Sequence, residues 1–213
     1  MTKKSSLEKI IEIFEQKDPF PETELHYKSE YELIVAVILS AQCTDVRVNK
    51  ITPELFKAFP TLESMAKAEV SEIFEKIKSC SYPNNKSRNL SNMARVLLNE
   101  YNGVLPTDPE EMQKLPGVGR KTANVLASVL FRKNVLAVDT HVFRVAKRLG
   151  LASNAKTPLA VEKIITSLSP PEKLHNLHHW LILHGRYVCK ARKPDCANCI
   201  ISHLCDFKDK NLN

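Results

Sequence analysis

Four cysteines near the end of the chain have the number and spacing of a metal-binding loop. Cys189, Cys196, Cys199 and Cys205 lie within 17 residues and are separated by six, two and five residues. Four thiolates can hold one zinc ion in tetrahedral geometry, and four cysteines also hold an iron–sulfur cluster. The spacing therefore predicts a metal centre without deciding between these two kinds.

A lysine and an aspartate lie in a strongly basic part of the same chain. Residues 114–148 contain eight basic side chains and a single acid, Asp139, so this segment has a net charge of +7. An amine becomes nucleophilic when burial or nearby cations lower its pKa. Lys121, which follows Arg120, is the candidate nucleophile, and Asp139 is its candidate acid/base partner. The alternatives are that Lys121 contacts a phosphate and that Asp139 caps a helix; a cap is compatible with catalysis.

The string LPGVGRKTAN places two glycines between two predicted helices. Gly117 and Gly119 permit positive φ and close approach of another backbone. Amide groups at the start of the second helix, with the charge of Arg120, suit an anionic oxygen. Leu115 and Val118 are expected to anchor the turn in the core. The string resembles the helix-hairpin-helix DNA-binding motif, which positions a protein on the DNA backbone without reading bases.

The composition is that of a globular protein with an anionic partner. The chain has 213 residues, of which 43% are hydrophobic and 26% charged, and this composition excludes intrinsic disorder. Its net charge of +7 favours an anionic partner such as nucleic acid. Its length fits one large domain or two small ones. No apolar run approaches the roughly 20 residues that cross a bilayer, and no secretory signal is recognisable. In an intracellular protein, clustered cysteines indicate a metal site rather than disulfides.

Helical periodicity dominates the chain and alternating strand patterns are absent, so the predicted fold class is all-α. A first helix is predicted to begin at a capping box formed by Ser5 and Glu8. Further helices are predicted at about residues 33–40, 90–101, 122–131, 140–149, 157–168 and 171–184. The histidines near the last helix are expected to pack and form hydrogen bonds rather than to bind a second metal.

The motifs together resemble the endonuclease III family of bacterial DNA glycosylases. The resemblance rests on LPGVGRKTAN, VDTHVFRVAKRLG, LSAQCTD and HHWLILHGRYVC, and it extends over nearly the whole chain. It implies a base excision repair enzyme that is both a DNA N-glycosylase and an AP lyase. Lys121 would attack C1′ of the damaged nucleotide with help from Asp139, and a Schiff base would lead to β-elimination 3′ to the abasic site. The implied substrate is double-stranded DNA containing oxidised pyrimidines, flipped out of the helix, or abasic sites.

The resemblance also implies an architecture and a cofactor. The expected fold is the two-lobed helix-hairpin-helix DNA glycosylase fold, with the active site in the cleft between the lobes. One lobe is a six-helix bundle of residues 22–132, and the other combines residues 1–21 with 133–213. The second lobe carries the loop 189–205, whose four cysteines would hold one [4Fe–4S] cluster per chain. We expect a cytoplasmic monomer that associates with the nucleoid through DNA.

Further DNA contacts follow from the same resemblance. Gln42 is expected to fill the gap left by the flipped base, although a polar residue at a helix end would look the same. Tyr82, in the loop SYPNNK, is the candidate for a second wedge. Lys190 and Arg192 would meet phosphates or partly neutralise the cluster, and His141 would support the active site by hydrogen bonding.

Two rival functions remain open at this stage. The first is a monofunctional adenine mismatch glycosylase of the same superfamily, which typically lacks a lysine at the position of Lys121 and carries a further C-terminal domain. The second is a non-catalytic DNA-binding module with a structural metal. Borohydride trapping on DNA that contains an oxidised pyrimidine separates all three. A covalent adduct indicates the lyase, base release without an adduct indicates a monofunctional glycosylase, and binding alone indicates the module.

Overall fold

The computed structural model of the chain describes residues 2–212, and this part of the chain is helical and contains no β-strand. Its α-helices are α1 (Lys3–Lys17), α2 (Glu30–Ser40), α3 (Asp45–Ala58), α4 (Leu62–Lys67), α5 (Val70–Ile77), α6 (Pro83–Tyr101), α7 (Pro109–Met112), α8 (Arg120–Phe131), α9 (Thr140–Arg148), α10 (Pro158–Leu168) and α11 (Leu174–Tyr187). Within residues 2–212, none of these helices combines the length and hydrophobicity required to span a membrane. The all-α prediction is confirmed.

The helices fall into two compact units. The inner unit consists of residues 24–131 and contains α2 to α8; the terminal unit combines residues 2–23 with residues 132–212 and contains α1, α9, α10 and α11. In the inner unit α7 is a single turn of four residues, and the other six helices are longer. The hairpin string thus lies in the inner unit and the four cysteines lie in the terminal unit.

Helix α2 is the central helix of the inner unit. All seven residues from Leu33 to Leu39 are buried, with at most 2% of their surface exposed. A helix that is apolar on every side is stable only when other helices surround it, and α2 contacts α3, α6 and α8. This arrangement matters for the site because the chain immediately after α2 carries Gln42.

The terminal unit has its own apolar core. Helix α1 contributes Leu7, Ile10, Ile11 and Phe14, spaced as one stripe, and these residues join buried side chains of α9, α10 and α11. The indole Nε1–H of Trp180 donates a hydrogen bond to the carbonyl oxygen of Asp18 at 2.8 Å. The N-terminal helix therefore completes a core built from the second half of the chain.

Several helix starts differ from the sequence predictions, among them that of α6, which begins at Pro83 and not at about residue 90. The predicted capping box of Ser5 and Glu8 is wrong: α1 begins at Lys3, and the hydroxyl of Thr2 accepts a hydrogen bond from the amide of Ser5 at 3.2 Å. A threonine three residues earlier supplies the same cap, so Ser5 lies within the first turn. The last long helix starts at Leu174 rather than at residue 171, because a 3₁₀ turn at Pro171–Lys173 precedes it.

The histidines of α11 pack and form hydrogen bonds, as the sequence predicted. The ring of His179 contacts those of His175 and His178 at 5.0 Å between centroids. Burial lowers the pKa of His179 to about 3, and positive charge on its neighbours adds to the effect. Those neighbours are His178, His175 and Arg132.

Replacing His179 with glutamine is expected to remove part of the acid sensitivity of folding. In the unfolded chain this histidine titrates near pH 6.5, so below that pH the unfolded state binds more protons than the folded state. Its contribution to the free energy of unfolding is therefore complete above that pH and is lost as the pH falls. Between about pH 6 and pH 4 the wild type should lose up to about 1.4 kcal/mol per pH unit more than the variant. Urea unfolding at each pH measures this, and parallel curves would contradict it.

Candidate functional site

The glycine hairpin forms a tight turn between α7 and α8. Leu115 and Val118 are 2% and 4% exposed, as predicted for anchors, and the amide of Val118 donates to the carbonyl of Leu115 at 3.0 Å. Gly117 has φ of +83°, and a Cβ there would lie 3.0 Å from Cβ of Asn89 on α6. Gly119 is different, because a Cβ there would meet no atom within 4 Å. The first glycine is required by the fold, whereas the second leaves open space directly before α8.

Alanine substitutions at the two glycines should affect different properties, stability at Gly117 and DNA binding at Gly119. Gly117→Ala is expected to lower the free energy of unfolding by about 1–2 kcal/mol, the cost of a left-handed backbone with a Cβ. Gly119→Ala is expected to leave stability nearly unchanged and to weaken DNA binding, because the new methyl group occupies the space through which a phosphate reaches the backbone. Thermal unfolding and binding to a duplex check both. Normal DNA affinity of Gly119→Ala would show that no phosphate approaches there.

Lys121 is the second residue of α8, and both Lys121 and Arg120 are exposed. Burial therefore does not contribute to activating this amine in the free protein. Arg120 and the positive end of the α8 dipole lie beside it. The buried face of the same helix, Thr122 to Ser128, fixes the start of α8 within the inner unit.

Asp139 is the N-cap of α9, as the sequence predicted. Its Oδ1 accepts hydrogen bonds from the amides of His141 and Val142, both at 2.8 Å. The segment before it is held by α11, where Nδ1 of the buried His178 lies 2.9 Å from the carbonyl oxygen of Ala137. The carboxylate is half-buried and has a fixed direction. One oxygen is used by the cap, and the second oxygen of the carboxylate can face a ligand.

Gln42 and Tyr82, the two candidate wedges, share an uncommon backbone conformation. Each has φ of +54°, although neither is a glycine, and each side chain is exposed. Non-glycine residues in the left-handed region cost of the order of 1–3 kcal/mol, and such strain is concentrated at functional sites. Tyr82 is 60% exposed and directly precedes α6, which begins at Pro83. Both residues belong to the inner unit.

Lys86 is a residue that the sequence analysis missed. It is 5% exposed, and its ammonium group lies among backbone carbonyls and side chains next to the two candidate wedges. The available signal was its spacing: Lys86 falls on the stripe that continues with Leu90, Met93, Ala94 and Leu97 along α6. A lysine on the buried face of a helix must be paired.

The four cysteine thiols line one pocket of the terminal unit. They belong to Cys189, Cys196, Cys199 and Cys205. Arg148 donates to Sγ of Cys189 at 3.4 Å, and the amide of Phe207 donates to Sγ of Cys205 at 3.5 Å. Within residues 2–212, no three His, Cys, Asp or Glu side chains are close enough to share a single metal ion. Four separate thiols around one pocket, with donors directed at two of the sulfurs, fit a group that bonds to four thiolates.

Two arginines of α9 fasten the cysteine loop. Arg148 donates to the carbonyls of Lys190 and Ala191 at 2.7 and 3.1 Å, and Arg144 donates to the carbonyl of Cys189 at 3.0 Å. These two side chains, one helical turn apart, are therefore bound to protein carbonyls. Because carbonyls are neutral, both guanidinium groups keep their positive charge, but the two side chains also hold the loop in place.

Comparison with family models matches two parts of the chain. Residues 35–171 match the HhH-GPD superfamily of base excision DNA repair proteins. Residues 189–205 match the iron-sulfur binding domain of endonuclease III. The first match contains the hairpin and Asp139, and the second coincides with the four-cysteine loop.

Relatives and solved structures are similar over nearly the whole chain. Endonuclease III of Rickettsia felis is 48% identical over 93% of both chains, and that of Escherichia coli K12 is 43% identical over 99% of both. A trapped endonuclease III–DNA covalent intermediate has a TM-score of 0.91 with 41% identity over 96% of both chains. A thermostable thymine-DNA glycosylase has a TM-score of 0.84 with 27% identity over 96% of both chains.

Proposed function

This chain belongs to the HhH-GPD superfamily of base excision DNA repair proteins and, within it, to the endonuclease III family, and from that premise we propose that it removes oxidised pyrimidines from duplex DNA and cuts the strand 3′ to the resulting abasic site. It is a DNA glycosylase and AP lyase that binds DNA. The kind of base that it removes and the residues that act on that base are proposed here.

The position of Lys121 is the observation that carries the proposal. A lysine stands at the second position of α8, directly after a hairpin whose Gly119 leaves room for a phosphate. An amine placed beside the DNA backbone can reach the sugar of an extruded nucleotide, whereas an adenine mismatch glycosylase needs no lysine there. A structurally similar endonuclease III was trapped as a covalent intermediate with DNA, which supports a covalent step in the reaction proposed for this chain.

The reaction divides between the two candidate residues. The uncharged Nζ of Lys121 attacks C1′, the bond between C1′ and the base breaks, and the base leaves with a proton. The sugar ring then opens to a Schiff base, loss of a C2′ proton follows, and the bond from C3′ to the phosphate oxygen breaks. The carboxylate of Asp139 is proposed to stabilise positive charge on the sugar and to transfer protons.

The chain carries one [4Fe–4S] cluster. Its four ligands are proposed to be Cys189, Cys196, Cys199 and Cys205. Burial raises the pKa of the thiols of Cys199 and Cys205, and binding to iron acts against this because the ligand is the thiolate. When bound, the cluster cross-links four points of the loop and so fixes the exposed side chains of Lys190 and Arg192.

The proposed DNA contacts come from the hairpin and the wedges of the inner unit and from the cysteine loop of the terminal unit. Gly117, Gly119 and Arg120 are proposed to hold a phosphate, and Gln42 and Tyr82 to enter the stack. Lys190 and Arg192 are proposed to bind further phosphates. We propose further that the protein acts as a monomer in the cytoplasm, where its DNA substrate places it at the nucleoid.

Borohydride reduction on duplex DNA with one oxidised pyrimidine tests the proposal. Reduction converts the Schiff base into a stable bond, so a covalent protein–DNA adduct together with a strand cut 3′ to the lesion is expected. Release of the base without an adduct would indicate a monofunctional glycosylase. Binding without either product would indicate a DNA-binding module, and an adduct formed only on abasic DNA would remove oxidised pyrimidines from the proposal.

Removing both cations of the cysteine loop is expected to change the salt dependence of binding. For Lys190→Ala with Arg192→Ala, the slope of log K against log salt concentration should decrease by roughly 0.9 for each phosphate that the variant no longer neutralises. Lys9→Ala with Lys163→Ala removes the same charge from exposed positions on α1 and α10 and should leave the slope unchanged. An unchanged slope in the loop variant would mean that its cations serve the cluster alone.

A further inference from the structure

The two candidate wedges are held by one network within the inner unit. The hydroxyl of Ser81, next to Tyr82, donates to the carbonyl oxygen of Gln42 at 2.7 Å. The segment after α2 and the segment before α6 are thereby joined next to Gln42 and Tyr82, which both have left-handed backbone. Neither conformation is favourable by itself, so the surrounding contacts determine both.

The ammonium group of Lys86 lies at the centre of this network. Its Nζ donates to the carbonyl oxygens of Leu39 and Ala41 at 2.8 and 2.7 Å. It also lies 3.2 Å from the hydroxyl of Ser81 and 3.2 Å from Sγ of Cys80. One side chain of α6 therefore contacts the residues that directly precede Gln42 and those that directly precede Tyr82.

The chemistry of these contacts requires an ammonium group. The last carbonyls of a helix have no partner within the helix and carry its negative partial charge, and α2 ends at Ser40. An ammonium group offers three donors in different directions, which suits two carbonyls and a hydroxyl. An apolar side chain of the same length would fill the space but leave these acceptors buried and unsatisfied.

We propose that Lys86 is a positioning residue for base extrusion, which holds the segments of Gln42 and Tyr82 in the geometry that enters the DNA stack. This inference rests on the wedge roles proposed above. Entering the stack costs unstacking energy, and a wedge whose backbone is free to relax cannot sustain it. The lysine touches no reacting atom, so its loss should affect extrusion and not the later chemistry on the sugar.

Lys86→Met tests the inference when two substrates are compared. The cluster-loaded variant is reacted with an abasic site in duplex DNA and with the same site in single-stranded DNA, which has no stack to enter. The single-turnover rate of Schiff-base trapping on the duplex should fall about 10- to 100-fold, the size of effect that a displacement of about 1 Å produces. The rate on the single strand should stay at the wild-type level. Equal losses on both substrates, or no loss on either, would overturn the inference.

A matched variant separates positioning from stability. Leu97→Ala creates a cavity on the same face of α6, three turns from Lys86, at a residue that is 3% exposed. It should lower thermal stability while keeping the wild-type ratio of duplex to single-strand rates. If Lys86→Met does not fold, Lys86→Gln retains an amide donor and should show the same selective loss to a smaller degree; an unchanged ratio in that variant would also overturn the inference.

Gln42→Ala and Tyr82→Ala distinguish this inference from the function on which it rests. If both variants react with duplex DNA at the wild-type rate, the proposed wedges are wrong. If they lose duplex activity and Lys86→Met does not, the wedges stand and the positioning role of Lys86 fails.

Discussion

Lys121→Ala is expected to abolish the covalent adduct with DNA and to reduce strand cleavage by about 10³-fold or more, the scale on which loss of a nucleophile acts. No other group of the proposed site supplies an amine at the start of α8. The fold should not change, because Lys121 is exposed and the buried face of α8 begins one residue later. Gel separation of adducts after borohydride reduction measures the loss.

Two further variants make the result at Lys121 specific. Lys121→Gln retains most of the side-chain length without an amine and should be equally inactive. Lys78→Ala removes an exposed lysine of the inner unit that pairs with Glu75 on the surface, and it should react normally. An adduct that persists in Lys121→Ala would place the nucleophile elsewhere and refute the proposed mechanism.

Asp139→Asn is expected to reduce base release by about 10²- to 10⁴-fold, the range of general acid–base catalysis, with little loss of stability. The geometry of the cap explains why base release should fall while stability is kept. Asparagine caps a helix about as well as aspartate, so the hydrogen bonds to the amides of His141 and Val142 survive the change. The negative charge that would stabilise the sugar does not survive.

Asp139→Ala provides the comparison for that variant. It loses both the charge and the cap, so it should be inactive and also about 1 kcal/mol less stable than the wild type. Measuring base release and urea unfolding for both variants separates the two roles. Wild-type turnover in Asp139→Asn would mean that Asp139 caps the helix and has no catalytic role.

The sequence predicted what depends on local pattern. The apolar run Leu33–Leu39 indicated a buried helix, and the cap at Asp139 followed from its place before an apolar stripe. Helical period and cap chemistry are properties of neighbouring residues, which a single sequence displays. The metal centre was predictable for the same reason, because its four cysteines lie close together in the chain.

The contacts that depend on tertiary structure were not predictable in this way. Arg144 and Arg148 were considered only as charges for DNA, and their hydrogen bonds to carbonyls of the cysteine loop, more than 40 residues away, were not foreseen. Lys86 reaches a carbonyl 47 residues away. The left-handed backbone of Gln42 and Tyr82 leaves no mark in residue type, because neither is a glycine. The helix predicted at residues 90–101 did not include Lys86, and periodicity cannot show the acceptors that this side chain meets.

The two arginines of α9 make the proposed catalytic carboxylate dependent on the supply of iron. Helix α9 is capped by Asp139 and ends at Arg148, and its arginines bind the first part of the cysteine loop. Order in the loop and order in the helix that follows Asp139 are therefore thermodynamically linked. Lys121 belongs to the inner unit, residues 24–131, and none of the four cysteine ligands lies in that range. In iron-starved cells we expect the carboxylate of Asp139 to lose this support, so that iron availability would limit repair capacity.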